Sequence, residues 1–388
     1  MAANSPPPLS SKALDRFIQN PYLDADPFTF ILSSPSSPPS LSEDLVVRFT
    51  REAERVAGHI AARIEESPKF AQKPDVYTGV GGLVYMYLEI HFHNKTAAEG
   101  QIVRTQPSSP LQFARLFLNK SAKDAESFSE KPSLLCGRPG YYALLAVLEH
   151  EDGHPDLSAK ALDKLLRLRS LCLPHGRAVC NEHLNGRAGY LAALLYVKRR
   201  ISKDDILLSA GVEDVVKAIL EDGKRFAEEF RNSAEGREWK EDLAARGRTL
   251  EDPIFSPLLF PWHDKFYLGC AHGTMGILLT LLDFSLTVPS LTLVEQTVHH
   301  IYHHSRFRSG NYSTRHYHNL NDSDDRLVQL CHGATGAVLF FAKAYACLGK
   351  EEYRVAAEEA GEVRGNVDDG FEKRSRFFIC PFRSFNGI

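Results

Sequence analysis

From Ser42 onward, Leu45, Phe49, Ala53, Val56, Ile60 and Ile64 recur every three or four residues, the spacing that places them on one face of a helix. Ser42 stands where an N-cap belongs, and Glu43 and Asp44 suit the positive end of the helix dipole. Similar one-sided segments cover roughly 111–128, 157–172, 213–230 and 291–304. Each is followed by a Gly-x-x-Gly pair and then by a run apolar on nearly every side: TGVGGLVYMYLEI at Gly79–Gly82, LCGRPGYYALLAVL at Gly137–Gly140, LNGRAGYLAALLYV at Gly186–Gly189, CAHGTMGILLTLL at Gly273–Gly276 and CHGATGAVLFFAKAY at Gly333–Gly336. First glycines are spaced 58, 49, 87 and 60 residues apart, and a charged insertion of 22 residues, 231–252, accounts for the long interval.

A helix with one apolar stripe belongs on the outside of a fold, and one that is greasy all round belongs inside. The repeating unit is therefore an outer helix, a glycine tip and an inner helix, and such hairpins stack as a solenoid or close into a ring. Little of the chain alternates with period two, so the expected fold is all-α. Glycines at the tips would let the starts of the inner helices crowd together around an axis, and such starts favour anionic groups. Segment 351–363 reads as a sixth outer helix. The first forty residues hold eight of the 21 prolines, so 1–41 is expected to be a largely flexible segment, 42–363 the helical domain and 364–388 a divergent, disordered tail.

The 388 residues carry a net charge of −3, without the basic excess of a nucleic-acid binder. No run approaches the ~18 apolar residues of a membrane span, and no signal-peptide core is evident. Seven scattered cysteines do not suggest a disulfide framework and point to a reducing, cytoplasmic setting.

Two tips carry reactive side chains, Cys270-Ala271-His272-Gly273 and Cys331-His332-Gly333. A thiolate at a helix start is stabilised by the dipole and further by a metal, and histidine exchanges protons near neutral pH. Cys136, Cys172, Cys180 and Cys347 read as small buried hydrophobes, and Cys270 suits that role as well. Adjacent Cys331 and His332 do not make a zinc motif of the CxxC kind. The run His299, His300, His303, His304 has metal-ligand spacing but sits on an outer helix, where a solvated histidine-rich face is expected. His316 and His318 lie in a polar loop. For a glycosidase, which needs two facing carboxylates, the inner-helix starts offer only Asp264 and Glu182.

The segments NEHLNGRAGY (181–190), WHDKFYLGCAHGTMGI (262–277) and LVQLCHGATG (327–336) resemble the eukaryotic LanC-like proteins, relatives of the lanthionine synthetase C cyclases, and the resemblance runs from about Asn20 to about Glu362. It implies an α/α toroid, seven hairpins in the family against about five and a half here, with one zinc ion held in a central cavity by two cysteines and a histidine. It also implies addition of a thiol, glutathione in the eukaryotic members, to dehydroalanine or dehydrobutyrine in peptides or proteins. Position by position, Cys331 corresponds to the first zinc cysteine, His272 to the active-site histidine that moves the proton, and His332 to a cavity-lining catalytic position. The mechanism implied has zinc stabilising a thiolate, which attacks the alkene β-carbon while His272 protonates the enolate.

The family's second Cys-His-Gly would fall near 376–381, where RFFICPF places Cys380 before Pro381. A basic residue that the family uses near that cysteine also lacks a counterpart. The expectation is accordingly a C-terminally shortened chain whose three-ligand site is incomplete at matched positions. A non-catalytic glutathione- or peptide-binding adaptor, or an inactive fragment, stands as the alternative.

Overall fold

The computed structural model describes residues 43–66, 73–106, 108–173, 179–201, 211–245, 254–317, 320 and 324–363. The expected flexible segment 1–41 and the tail 364–388 with Cys380, like His318, lie outside them. In chain order the helices are α1 (Glu43–Glu66), α2 (Val80–Thr96), α3 (Pro110–Ser121), α4 (Arg138–Glu151), α5 (Pro155–Arg167), α6 (Arg187–Ile201), α7 (Val212–Asn232), α8 (Ala234–Ala245), α9 (Thr274–Leu281), α10 (Val288–His304), α11 (Ala334–Leu348) and α12 (Glu351–Glu362). No strand forms among the described residues, which contain only isolated bridges such as Tyr267 with Arg315. The all-α expectation holds, and the charged insertion contains a helix of its own, α8.

Outer and inner helices differ as their patterns require. In α5 the buried positions are Ser158, Ala161 and Leu165, a single stripe, whereas α6 buries every residue from Arg187 to Val197. Pro110 and Pro155 start α3 and α5, where a missing N–H costs nothing, and Ser109 forms a reciprocal capping box with Gln112. The inner helices α2, α4, α6, α9 and α11 lie side by side in that order.

The hairpins are cut differently from the sequence reading. Inner helices α2, α4 and α11 pack most extensively against the outer helix that follows, α3, α5 and α12, rather than the one before. Short turns make this possible: Gly153 (φ 78°) and Gly349 (φ 69°) adopt the left-handed conformation just past α4 and α11. The glycine tips instead connect one hairpin to the next.

Each tip hydrogen-bonds its successor, so all five inner helices start at the same end of the molecule. Val76 and Tyr77 N–H donate to Leu135 O (both 2.9 Å), Leu134 N–H to Gly189 O (2.9 Å), His183 N–H to Ala271 O (3.2 Å) and Cys270 N–H to Leu330 O (3.3 Å). Within a tip the chain folds back on itself. Gly79, Gly137, Gly186 and Gly273 N–H donate to the carbonyl four residues earlier at 2.9–3.1 Å. A Cβ at the second glycine of any tip would lie 1.8–2.5 Å from the carbonyl oxygen six residues back. The glycines are thus required by closure of each turn and also by the neighbouring tip, whose atoms come within 2.5 Å at Gly189 (Ser133 Cβ) and within 3.1–3.2 Å at Gly336 (Cys270 Sγ) and Gly140 (Val76 Cγ2).

Candidate functional site

Tips three, four and five carry the polar side chains. Glu182, in tip three, is buried, with 2% of its side chain exposed. Its Oε2 accepts from the Leu184 N–H at 2.9 Å and its Oε1 from the Asn185 N–H at 2.5 Å. Across the His183–Ala271 bond lies His272, whose Nδ1 is 2.8 Å from Glu182 Oε2. A carboxylate that accepts backbone N–H groups on both oxygens leaves Nδ1 as the donor, so we assign the Nδ1–H tautomer, with the lone pair on Nε2. The ring is also held by Trp262, stacked on it with centroids 5.6 Å apart and planes 4° from parallel.

Trp262 is placed by a two-residue reversal. Its N–H and carbonyl exchange bonds with Lys265 at 2.9 and 3.1 Å, and the intervening His263 and Asp264 have φ of 47° and 59°. That is the signature of a type I′ turn, which glycine or asparagine usually fills. The strain sits next to the stacked tryptophan, as is common near functional groups.

The fifth tip is irregular. Gly333 adopts φ 102°, and Asn311 stands in for the missing backbone bond: its Oδ1 accepts from Ala334 N–H at 2.7 Å and its Nδ2 donates to Leu327 O at 3.0 Å. Gly269 lies so close that a Cβ there would come within 1.7 Å of Cys331 O. The Cys331 thiol donates to Gln329 Oε1 at 3.2 Å, and burial pushes its pKa up while nearby backbone N–H groups oppose the rise. The His332 pKa is lowered, first by burial and second by the repulsion that a protonated His272 would exert. Its Nδ1 is buried without a hydrogen-bond partner, and its ring lies 5.5 Å from that of Tyr267.

Cys331, His272 and His332 therefore lie on two hydrogen-bonded tips. Among the described residues Cys331 belongs to no group of three His, Cys, Asp or Glu donor atoms within 4.8 Å of one another. The donors there do not by themselves amount to a zinc site, which needs three or four ligands.

Glu182, Trp262 and Gln329 were not singled out as partners from the sequence, although all three fall in or beside the motif segments. Cys270 is a buried small side chain donating to Gly336 O at 3.3 Å. Cys172 is a buried core thiol, pushed up to about 12, whereas Cys180 and Cys136 are only half-buried, although burial still raises them to about 12 and about 11. Cys347 departs from expectation, since it is exposed near the end of α11. The four-histidine face is split. His300 is buried and stacks toward His316 (5.9 Å), whereas His299 and His303 face outward. His316 is not a loop histidine in water but buried, its Nε2 3.0 Å from Thr274 Oγ1.

The family model for lanthionine synthetase C-like proteins matches residues 71–380, a span that includes every tip. The chain belongs to this family. Among curated relatives it is 27% identical over 344 residues to glutathione S-transferase LANCL1 of Danio rerio, covering 84% of this chain and 73% of that one. Among solved structures it resembles nisin cyclase, with a TM-score of 0.51 at 14% identity over 81% of this chain and 74% of the other. That second likeness establishes the fold, the helical toroid of LanC-like proteins. No helix among the described residues is long and apolar enough to cross a membrane.

Proposed function

We propose that this LanC-like chain adds a thiol, glutathione being the best candidate, to dehydroamino acids in peptides or proteins. The observation that carries the proposal is the His272–Glu182 pair. A buried carboxylate orients the imidazole, leaves Nε2 as the base and stabilises the imidazolium once Nε2 takes a proton. The step balances without any other reagent. His272 Nε2 accepts the thiol proton, sulfur bonds to the β-carbon, and the alkene pair moves to the α-carbon and its carbonyl as an enolate. The imidazolium then returns the proton to the α-carbon. Trp262 restricts the ring to this orientation by covering one face. His332, kept neutral by burial, lines the adjoining tip. The name of the Danio rerio relative supports glutathione as the thiol.

Zinc at Cys331 is part of the proposal as a family property, but no step above is routed through it, because the described donors fall short of a full set. Bound zinc would hold a thiol as thiolate at neutral pH. A cytoplasmic location accords with the absence of disulfides among the described cysteines.

The test is incubation of the purified full chain with glutathione and a dehydroalanine peptide, followed by mass spectrometry. The wild type should form the thioether, and His272→Ala should lower the rate by about 100-fold or more. Equal rates would remove His272 from its role. A second reading, a glutathione- or peptide-binding protein without chemistry, is favoured by the hydrogen bond that ties the Cys331 thiol to Gln329. Tight glutathione binding with no thioether and no zinc would select it.

A further inference from the structure

Outside the residues invoked for the chemistry, the last two turns of α10 and the first turn of α12 bring together His299, His303 and Glu352. The two histidines are one helical turn apart, with ring centroids 4.2 Å from each other. Glu352 Oε1 lies 3.6 Å from His299 Nδ1, and one donor atom from each residue falls within 4.8 Å of the other two. Two imidazole nitrogens and one carboxylate oxygen form a donor set suited to a divalent transition metal, and the tetrahedral ion it suits best is zinc. Around zinc, ligand bonds of about 2.0–2.2 Å put neighbouring donors roughly 3.3 Å apart, so small side-chain rotations close this site.

The surroundings favour a cation independently. His303 lies in the last turn of α10, where the exposed carbonyls of the helix end carry partial negative charge. The ligands are anchored beneath: Tyr302 meets the His303 ring edge-on at 4.7 Å and packs on Phe341 of α11 and Tyr353 of α12. His299 and Glu352 are 30% and 34% exposed, open enough for a water molecule to take a fourth position.

We propose that His299, His303 and Glu352 form a peripheral zinc site that ties α10 to α12. Because α12 packs on α11, the ion braces the hairpin whose inner helix begins beside Cys331. This site is separate from the proposed chemistry and does not depend on it.

The experiment uses the chelator-treated full chain carrying Cys331→Ala, so that sulfur ligation at the tips does not contribute. Isothermal titration with Zn2+ should show one equivalent bound. Co2+ in its place should give the visible bands of a tetrahedral nitrogen–oxygen site without thiolate charge transfer. Adding His303→Ala, at an exposed position that leaves the fold intact, should weaken binding at least 10-fold, and Glu352→Gln should weaken it less. Zinc should also raise the thermal midpoint of the Cys331→Ala chain but not of the double variant. Zinc binding that His303→Ala leaves unchanged, or no binding in the Cys331→Ala chain, would overturn the proposal.

Discussion

Replacing Gly140 by alanine tests whether the tips are closed as tightly as described. The new Cβ would sit 1.8 Å from Leu134 O, 2.8 Å from Leu134 C and 3.2 Å from Val76 Cγ2. Ordinary carbon–oxygen contact begins near 3.3 Å, so the turn must retreat by roughly 1.5 Å, and the obstructing atoms are backbone that cannot rotate away. A shift of that size breaks the Leu134 N–H bond to Gly189 O (2.9 Å) and strains the buried bond from Ser133 Oγ to Leu184 O (2.5 Å). Each lost hydrogen bond costs about 1 kcal/mol, overpacking costs about 1–3 kcal/mol, and alanine's better helix propensity returns about 1 kcal/mol. With one bond lost, the net expectation is a loss of about 1–3 kcal/mol. Gly58 supplies the control: it is exposed within α1, a Cβ there meets nothing within 4 Å, and Gly58→Ala should stabilise by about 0.5–1 kcal/mol. Urea unfolding followed by circular dichroism reads both variants. A Gly140→Ala chain within 0.5 kcal/mol of wild type would refute the closed-turn account.

Glu182→Gln keeps the size but presents an amide group to one of the backbone N–H donors, so it should cost about 2 kcal/mol in urea. It should also slow thioether formation more than it weakens glutathione binding, whereas equal losses would mark a purely structural role. Burial pushes His316 down from 6.5 to about 3. The unfolded chain therefore binds the extra proton between those values, and stability falls on acidification through that window by up to about 1.4 kcal/mol per pH unit. His316→Gln, which retains a partner for Thr274, should flatten the stability profile between pH 6 and 4 by close to one proton, and an unchanged slope would contradict the burial. Alkylation at pH 8 mapped by mass spectrometry should label Cys347 well before Cys172 or Cys180, and early labelling of Cys172 would show that its site opens.

The helical repeat was legible because its signal is periodic and repeated: one-sided segments and all-round apolar runs found their outer and inner places, and each glycine pair marked a tip. Hairpin pairing was misread because periodicity shows which face of a helix is buried, not which neighbour covers it. That depends on turns such as Gly153 and Gly349, too short to register as motifs. At the site, His272 and the Cys331 tip stood out by residue type. Glu182 did not, since a lone acid beside a histidine tip looks like any surface carboxylate until the fold sets it 2.8 Å from an imidazole 90 residues away. The histidine run failed as a single feature because positions 299 and 303 face away from 300 and 304, a difference of one residue on a helix.

The bonds between tips run in sequence, each made by an earlier turn to the next one along the chain. Assembly can therefore proceed in the order of synthesis, every completed hairpin offering unsatisfied donors that the next emerging turn takes up. Growth by accretion on a finished edge would keep most contacts local until the ring closes.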